Sequence, residues 1–157
     1  MTKEQINEFT LRTSSANHSG LVVILFDIVH VYTEDALKNY DLNDINAYIR
    51  SLELSKRALN ELMSCFSPTA HPGGNVLSVL RFIYGKMVSS VVKREPQELA
   101  RCLKMLDSLR EAFAKLSEKD KEGPVMKNTH QVYAGLTYGK NTLNESVMNS
   151  SNRGFKA

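Results

Sequence analysis

The chain has 157 residues but no tryptophan, two cysteines and four prolines. Two cysteines, Cys65 and Cys102, are too few for the disulfide framework that stabilises small secreted domains. Both lie in apolar helical sequence, where a free cysteine behaves as a small hydrophobic side chain. The first twenty residues show no basic segment followed by an apolar one, and no apolar run reaches the ~18 residues of a membrane span. These absences predict a protein of the reducing cytoplasm with no membrane span.

The sequence also lacks the residue spacings that catalytic and metal sites need. Its four histidines are scattered, and no HxxxH, ExxH or CxxC spacing occurs. Gly73 and Gly74 are not followed by the GK[ST] of a phosphate-binding loop, and no serine has a nucleophile-elbow context. The net charge of +3 is spread along the chain, without the basic stripe that nucleic acid requires. We therefore predict no enzyme, no cofactor, no metal and no nucleic-acid partner.

Four long apolar segments with helical spacing fill the centre of the chain, at about residues 19–39, 43–66, 76–93 and 96–116. Asp41 or Asn43 is placed to cap the second segment and Asn75 the third, while Pro96 suits the first position of the fourth. The pattern predicts an all-α, antiparallel up-down four-helix bundle over residues 19–116. A short N-terminal helix or strap (residues 1–18) precedes it, and a long C-terminal tail (residues 117–157) follows it.

The first helix of this bundle is apolar on nearly all sides. Leu21, Leu25 and Ile28 begin one stripe, and additional apolar residues widen it: Val22, Val23, Ile24, Phe26 and Val31. A helix in a four-helix bundle meets its neighbours on about half of its circumference. The N-terminal segment, the tail or a partner should therefore cover the rest, which indicates a protein that holds another polypeptide.

Two polar residues interrupt this helix. His30 follows Asp27 by three residues, so the two could form a coupled pair. The plainer interpretation is a histidine at the rim with a local partner, and an Asp27 that accepts a structural hydrogen bond from a neighbouring helix end.

Several segments resemble motifs of the flagellar secretion chaperone family FliS. Residues 21–27 (LVVILFD) are similar to the opening L-x-x-M-L-[FY]-D motif of that family, and residues 55–62 (SKRALNEL) are similar to its second-helix K-A-x-x-[IL]-[IL]-x-x-L segment. Residues 80–88 occupy the place of its Y-D-Y helix, with Ile83 where the family has aspartate. Residues 6–9 (INEF) resemble its N-terminal anchor, and the resemblance covers about residues 6–116.

The resemblance implies a cytosolic export chaperone that binds the C-terminal segment of flagellin and prevents premature polymerisation. The export apparatus or a co-chaperone would be a further partner. In this interpretation the partner groove comprises residues of the first two bundle helices: Leu21, Ile24, Leu25, Ile28, Ile45, Ile49 and Leu52. Ile6 and Phe9 form a strap that folds over the groove when flagellin is absent.

The tail contains a second stretch similar to the strap. Residues 131–140 carry Tyr133, Leu136 and Tyr138 among polar and small residues. They would dock on the flagellin groove, and the alternative is a solvated tail. The rival to the chaperone function is a helical-bundle module that self-associates through the excess apolar face of its first helix. We expect a monomer or a weak dimer.

Overall fold

The computed structural model describes residues 1–69 and 73–126. Within these two ranges the chain forms five α-helices and no strand: α1 (Lys3–Ser15), α2 (His18–Asp41), α3 (Ile45–Ser64), α4 (Gly73–Lys93) and α5 (Leu99–Ser117). Each of α3 and α5 packs against both α2 and α4, so the last four helices form a closed ring in chain order. Helix α1 packs on α2 from outside the ring. The predicted all-α bundle with an N-terminal helix is confirmed.

The core lies inside the ring of α2 to α5. Every one of these helices contributes fully or almost fully buried side chains at helical spacing, including Phe26, Val29, Tyr48, Leu52, Leu59, Leu80, Ile83, Met87, Leu99, Cys102 and Leu106. Burial of apolar side chains at this spacing is what makes each amphipathic helix stable in the bundle. Cys102 is buried as predicted, whereas Cys65 is exposed because α3 ends there.

The turn between α2 and α3 differs from its sequence prediction. Asp44 caps α3, and its Oδ1 accepts a hydrogen bond from the Ala47 amide at 2.9 Å. Asn43 is in the left-handed region (φ 59°), a conformation that asparagine tolerates better than most residues. The chain turns at Asn43 between α2 and α3, which leaves Asp44 in the capping position of α3.

The starts of α4 and α5 also differ from prediction. Helix α4 begins at Gly73, so Asn75 lies inside its first turn and does not cap it. Helix α5 begins at Leu99 because Glu98 has a positive φ of 55°, which interrupts the helical path. Pro96 therefore lies in the turn and not in the helix.

Helix α4 is long and apolar enough to cross a membrane by length and composition, which the sequence analysis did not recognise. Its apolar residues Leu80, Ile83 and Met87 are fully buried between the helices of the bundle. The core helix of a soluble protein satisfies the same criterion, and α4 contributes such core residues, with 33% of its apolar window buried.

A candidate partner-binding face beneath the N-terminal helix

Local capping fixes the N-terminus of α1 and the start of α2. Its N-terminus has a capping box, in which the Gln5 amide donates to Thr2 Oγ1 (3.2 Å) and the Thr2 amide donates to Gln5 Oε1 (2.8 Å). After α1 ends, two residues intervene before α2, and the second of them, Asn17, caps α2 through its side chain. This short connection folds α1 back onto α2.

Helix α1 covers an apolar stripe on α2 that faces away from the bundle core. We call this stripe the outer face of α2; it consists of Ile24, Ile28, Val31 and Tyr32, at spacings that place them on one side of a helix. Each of the four lines a pocket that residues of α1 also line. The outer face is therefore the surplus apolar surface that the sequence predicts for the first bundle helix.

Ile24 is the most deeply buried residue of the outer face. It is 5% exposed, yet it does not belong to the buried cluster inside the ring of helices. It lines a shallow pocket with Ala16 of the α1–α2 turn and with Ala114 and Ser117 near the end of α5. Residues of α1, of the α1–α2 turn and of the end of α5 thus all surround Ile24.

The contact between α1 and the outer face is incomplete. A cavity of about 460 Å³ lies where Ile6 and Phe9 of α1 meet Ile28 and Tyr32 of α2. Ile6 remains 49% exposed. This pocket is open to solvent, so α1 does not close over the whole of the outer face. Helix α1 is therefore a cover of the outer face and not a fifth member of the core.

Asp27 links α1 to the bundle at the polar edge of this contact. Its carboxylate accepts a hydrogen bond from Arg12 Nη2 of α1 at 2.5 Å and one from Arg110 Nε of α5 at 2.5 Å. The side chain of Asp27 is 15% exposed, so both interactions are partly shielded from water. The hydrogen bond from Arg110 to Asp27 raises the pKa of Arg110 above its ordinary value.

His30 has a different partner from the one considered in the sequence analysis. Its Nε2 lies 3.1 Å from Asp107 Oδ1 on α5, so it pairs across the helix interface. The coupled Asp27–His30 pair is not formed, because Asp27 is occupied by the two arginines.

The chain that follows α5 crosses the turn between α1 and α2. The Asn17 side chain donates to the Asp120 carbonyl at 3.3 Å, and Ser19 Oγ donates to Asp120 Oδ2 at 2.6 Å. Further on, the Val125 amide donates to the Ala16 carbonyl at 3.0 Å. The described part of the predicted tail, residues 117–126, is thus docked on the turn from which α1 extends.

The docked segment should depend on the ionised form of Asp120. Hydrogen bonds from Ser19 and from the Glu122 amide lower the pKa of Asp120 below its usual value. A lowered pKa means that the docking contact is present above the usual aspartate pKa and is lost as the pH falls through the lowered one. We expect Ser19→Ala to raise the pKa of Asp120 toward its usual value, as measured by NMR titration of the Asp120 carboxyl carbon. An unchanged pKa would show that Ser19 does not stabilise the carboxylate.

The structure divides the predicted groove residues into two sets. Ile24 and Ile28 lie beneath α1, and Leu21 lines an apolar pocket of about 370 Å³ with Phe66 and Phe113 at one end of the bundle. The other four form the second set: Leu25 and Ile49 pack on the core, Leu52 is fully buried in it, and Ile45 is partly buried at the start of α3. Leu52 has 0% exposure and presents no surface to a partner in this conformation.

The predicted N-terminal strap residues Ile6 and Phe9 do lie over the outer face of α2. Tyr133, Leu136 and Tyr138 fall outside the described residues. Val31 and Tyr32 were not predicted as site residues, although their spacing from Ile28 places them on its side of the helix. Within residues 1–69 and 73–126, no group of three or more histidine, cysteine, aspartate or glutamate side chains is placed to hold a metal ion.

Comparison with known proteins gives one result. A family model described as Flagellar protein FliS matches residues 3–120, which is 118 of the 157 residues. A search of curated proteins and a search of solved structures found no match. The matched range contains all five helices and extends to Asp120 at the α1–α2 turn. This chain therefore belongs to the FliS family of flagellar chaperones.

Proposed function

We propose that this protein binds the C-terminal helical segment of flagellin in the cytoplasm and prevents its premature polymerisation before export. The observation that carries the proposal is the outer face of α2, an apolar stripe covered by a single loosely packed helix. Membership of the FliS family supports the same function.

A partner helix can replace α1 on this face. An amphipathic helix binds by placing its apolar stripe in a groove, and a segment that is disordered when free folds as it binds. Each large apolar side chain that becomes buried contributes about 1.5–3 kcal/mol. The outer face offers Ile24, Ile28, Val31 and Tyr32 for such contacts.

Helix α1 competes with the partner from within the same chain. A tethered segment acts at an effective concentration near the millimolar range, so even a weakly bound helix occupies the face when no partner is present. The exposed Ile6 and the cavity beside Phe9 make α1 a weak competitor. It would protect the apolar face from nonspecific association and yield to flagellin.

The direct test is a titration of the full chain with flagellin and with flagellin that lacks its C-terminal segment. We expect saturable binding of intact flagellin, measured by isothermal calorimetry, and no binding of the truncated form. Equal binding of both forms would overturn the proposal. Light scattering in the same buffer separates the rival function, because a self-associating module would form a stable dimer that flagellin does not dissociate.

A further inference from the structure

A second pocket lies beneath α1, next to the cavity lined by Ile6 and Ile28, and its bundle side is acidic. This pocket of about 490 Å³ is lined by three carboxylates from α2 and α5, Asp27, Asp107 and Glu111, and by one guanidinium, that of Arg110. His30 also lines the pocket and lies against Asp107. The carboxylates on the bundle side of the pocket outnumber the guanidinium, which favours a cation on the helix that covers it.

Helix α1 presents a stripe that matches this arrangement. Ile6, Phe9 and Arg12 follow one another at intervals of three residues and so lie on one side of α1. The first two meet the outer face of α2, while the third reaches Asp27. The Arg12 guanidinium also lies over the Phe9 ring, 5.5 Å from its centroid. In its covered state this face thus accepts an apolar pair followed by a cation; Glu8, 3.7 Å from Arg12 and 64% exposed, also lines the pocket.

We infer that Asp27 is a specificity-determining residue for the partner. The flagellin helix that displaces α1 places an arginine or lysine against Asp27, within one turn of a large apolar side chain. This inference rests on the proposed function. A helix without such a cation would cover the partly buried Asp27 carboxylate and leave it with Arg110 but without the second cation that Arg12 now supplies, which is unfavourable. The pocket therefore both attracts the matching helix and disfavours one that lacks the charge.

The test must separate the role of Asp27 in holding α1 from its role in binding the partner. Arg12→Met removes the cation of α1 and keeps an apolar stem, so in this variant α1 no longer uses Asp27. Adding Asp27→Asn to Arg12→Met should then weaken binding of a flagellin C-terminal peptide by about tenfold, the loss expected for one charge-assisted hydrogen bond. Glu61→Gln in the Arg12→Met background is the matched control, since Glu61 is exposed on α3, and it should leave the affinity unchanged.

The partner residue is found by replacing each arginine and lysine of the peptide with glutamine, one at a time. One replacement should weaken binding to the Arg12→Met protein by about tenfold and cause little further loss in the Arg12→Met/Asp27→Asn protein, because the two changes remove the same contact. This coupling is a readout that a merely structural role of Asp27 would not produce.

Two results would overturn the inference while leaving the proposed function intact. The first is equal affinity of the peptide for the two proteins with and without Asp27. The second is a loss upon Asp27→Asn that is the same for every peptide, which would show that Asp27 acts only on the fold. If no variant binds the peptide, the proposed function fails and this inference fails with it.

Discussion

Replacing Ile28 by glutamate should weaken binding of the flagellin segment on the order of 100-fold. Ile28 lies at the centre of the outer face of α2 and lines the cavity beneath α1. The substitution removes an apolar contact and places a carboxylate where the partner would cover it. The same change loosens α1, which favours the partner, but the loss of the direct contact is larger. Isothermal calorimetry with a flagellin C-terminal peptide measures the effect.

The fold should tolerate this substitution, because Ile28 is outside the buried cluster of the bundle. The matched control is Val92→Glu. Val92 is 76% exposed, and it lies on α4, the helix opposite α2 in the ring. Val92→Glu should leave both the affinity and the circular dichroism spectrum unchanged. Wild-type affinity in the Ile28→Glu protein would place the partner on another surface.

Replacing Leu52 by alanine should lower the free energy of unfolding by about 2–5 kcal/mol. Leu52 is fully buried in the core, so truncation leaves a cavity among well-packed neighbours. Chemical denaturation followed by circular dichroism at 222 nm measures the change. The size of the effect distinguishes Leu52 from Ile28, although both were predicted as groove residues.

Ile28→Ala is the control for this comparison, since it removes a side chain of the same size from the outer face. Because Ile28 is only partly buried beneath α1, this variant should lose clearly less stability than Leu52→Ala. Similar losses from both substitutions would mean that α1 packs on α2 as tightly as the core packs on itself. The interpretation of α1 as a removable cover would then be incorrect.

The sequence predicts the helices well because their apolar spacing is sustained over several turns. It also predicts that α2 carries more apolar surface than a bundle can bury, and the structure shows this surplus as the outer face beneath α1. Helix ends are predicted less well, because one residue in a left-handed conformation moves a boundary. Asn43 and Glu98 both move a boundary in this way, and no short sequence motif predicts the left-handed conformation of either residue.

The sequence cannot divide the apolar residues of α2 between core and outer face. On a helix that is apolar nearly all round, periodicity does not say which side faces inward. It does not separate Ile28 from its fully buried neighbour Val29, and only the positions of α1, α3 and α5 do so. The distinction depends on which helices pack together, which is information that the spacing within one helix does not contain.

The sequence also does not predict which polar side chains pair between distant parts of the chain. Asp27 is 15 residues from Arg12 and 83 residues from Arg110, and nothing local to Asp27 marks either arginine as its partner. The same holds within the core, where Thr33 and Ser55 share a hydrogen bond of 2.8 Å between α2 and α3. Such pairs become visible only after the helices are placed.

In the proposed function, a flagellin helix takes the place of α1 on the outer face of α2. Hydrogen exchange measured by mass spectrometry, with and without a saturating flagellin C-terminal peptide, tests it most directly. We predict that peptide binding increases exchange in residues 3–15 and decreases it around Ile28, while the core segments of α3 to α5 keep their protection. Binding of the peptide with unchanged protection of residues 3–15 would contradict the account.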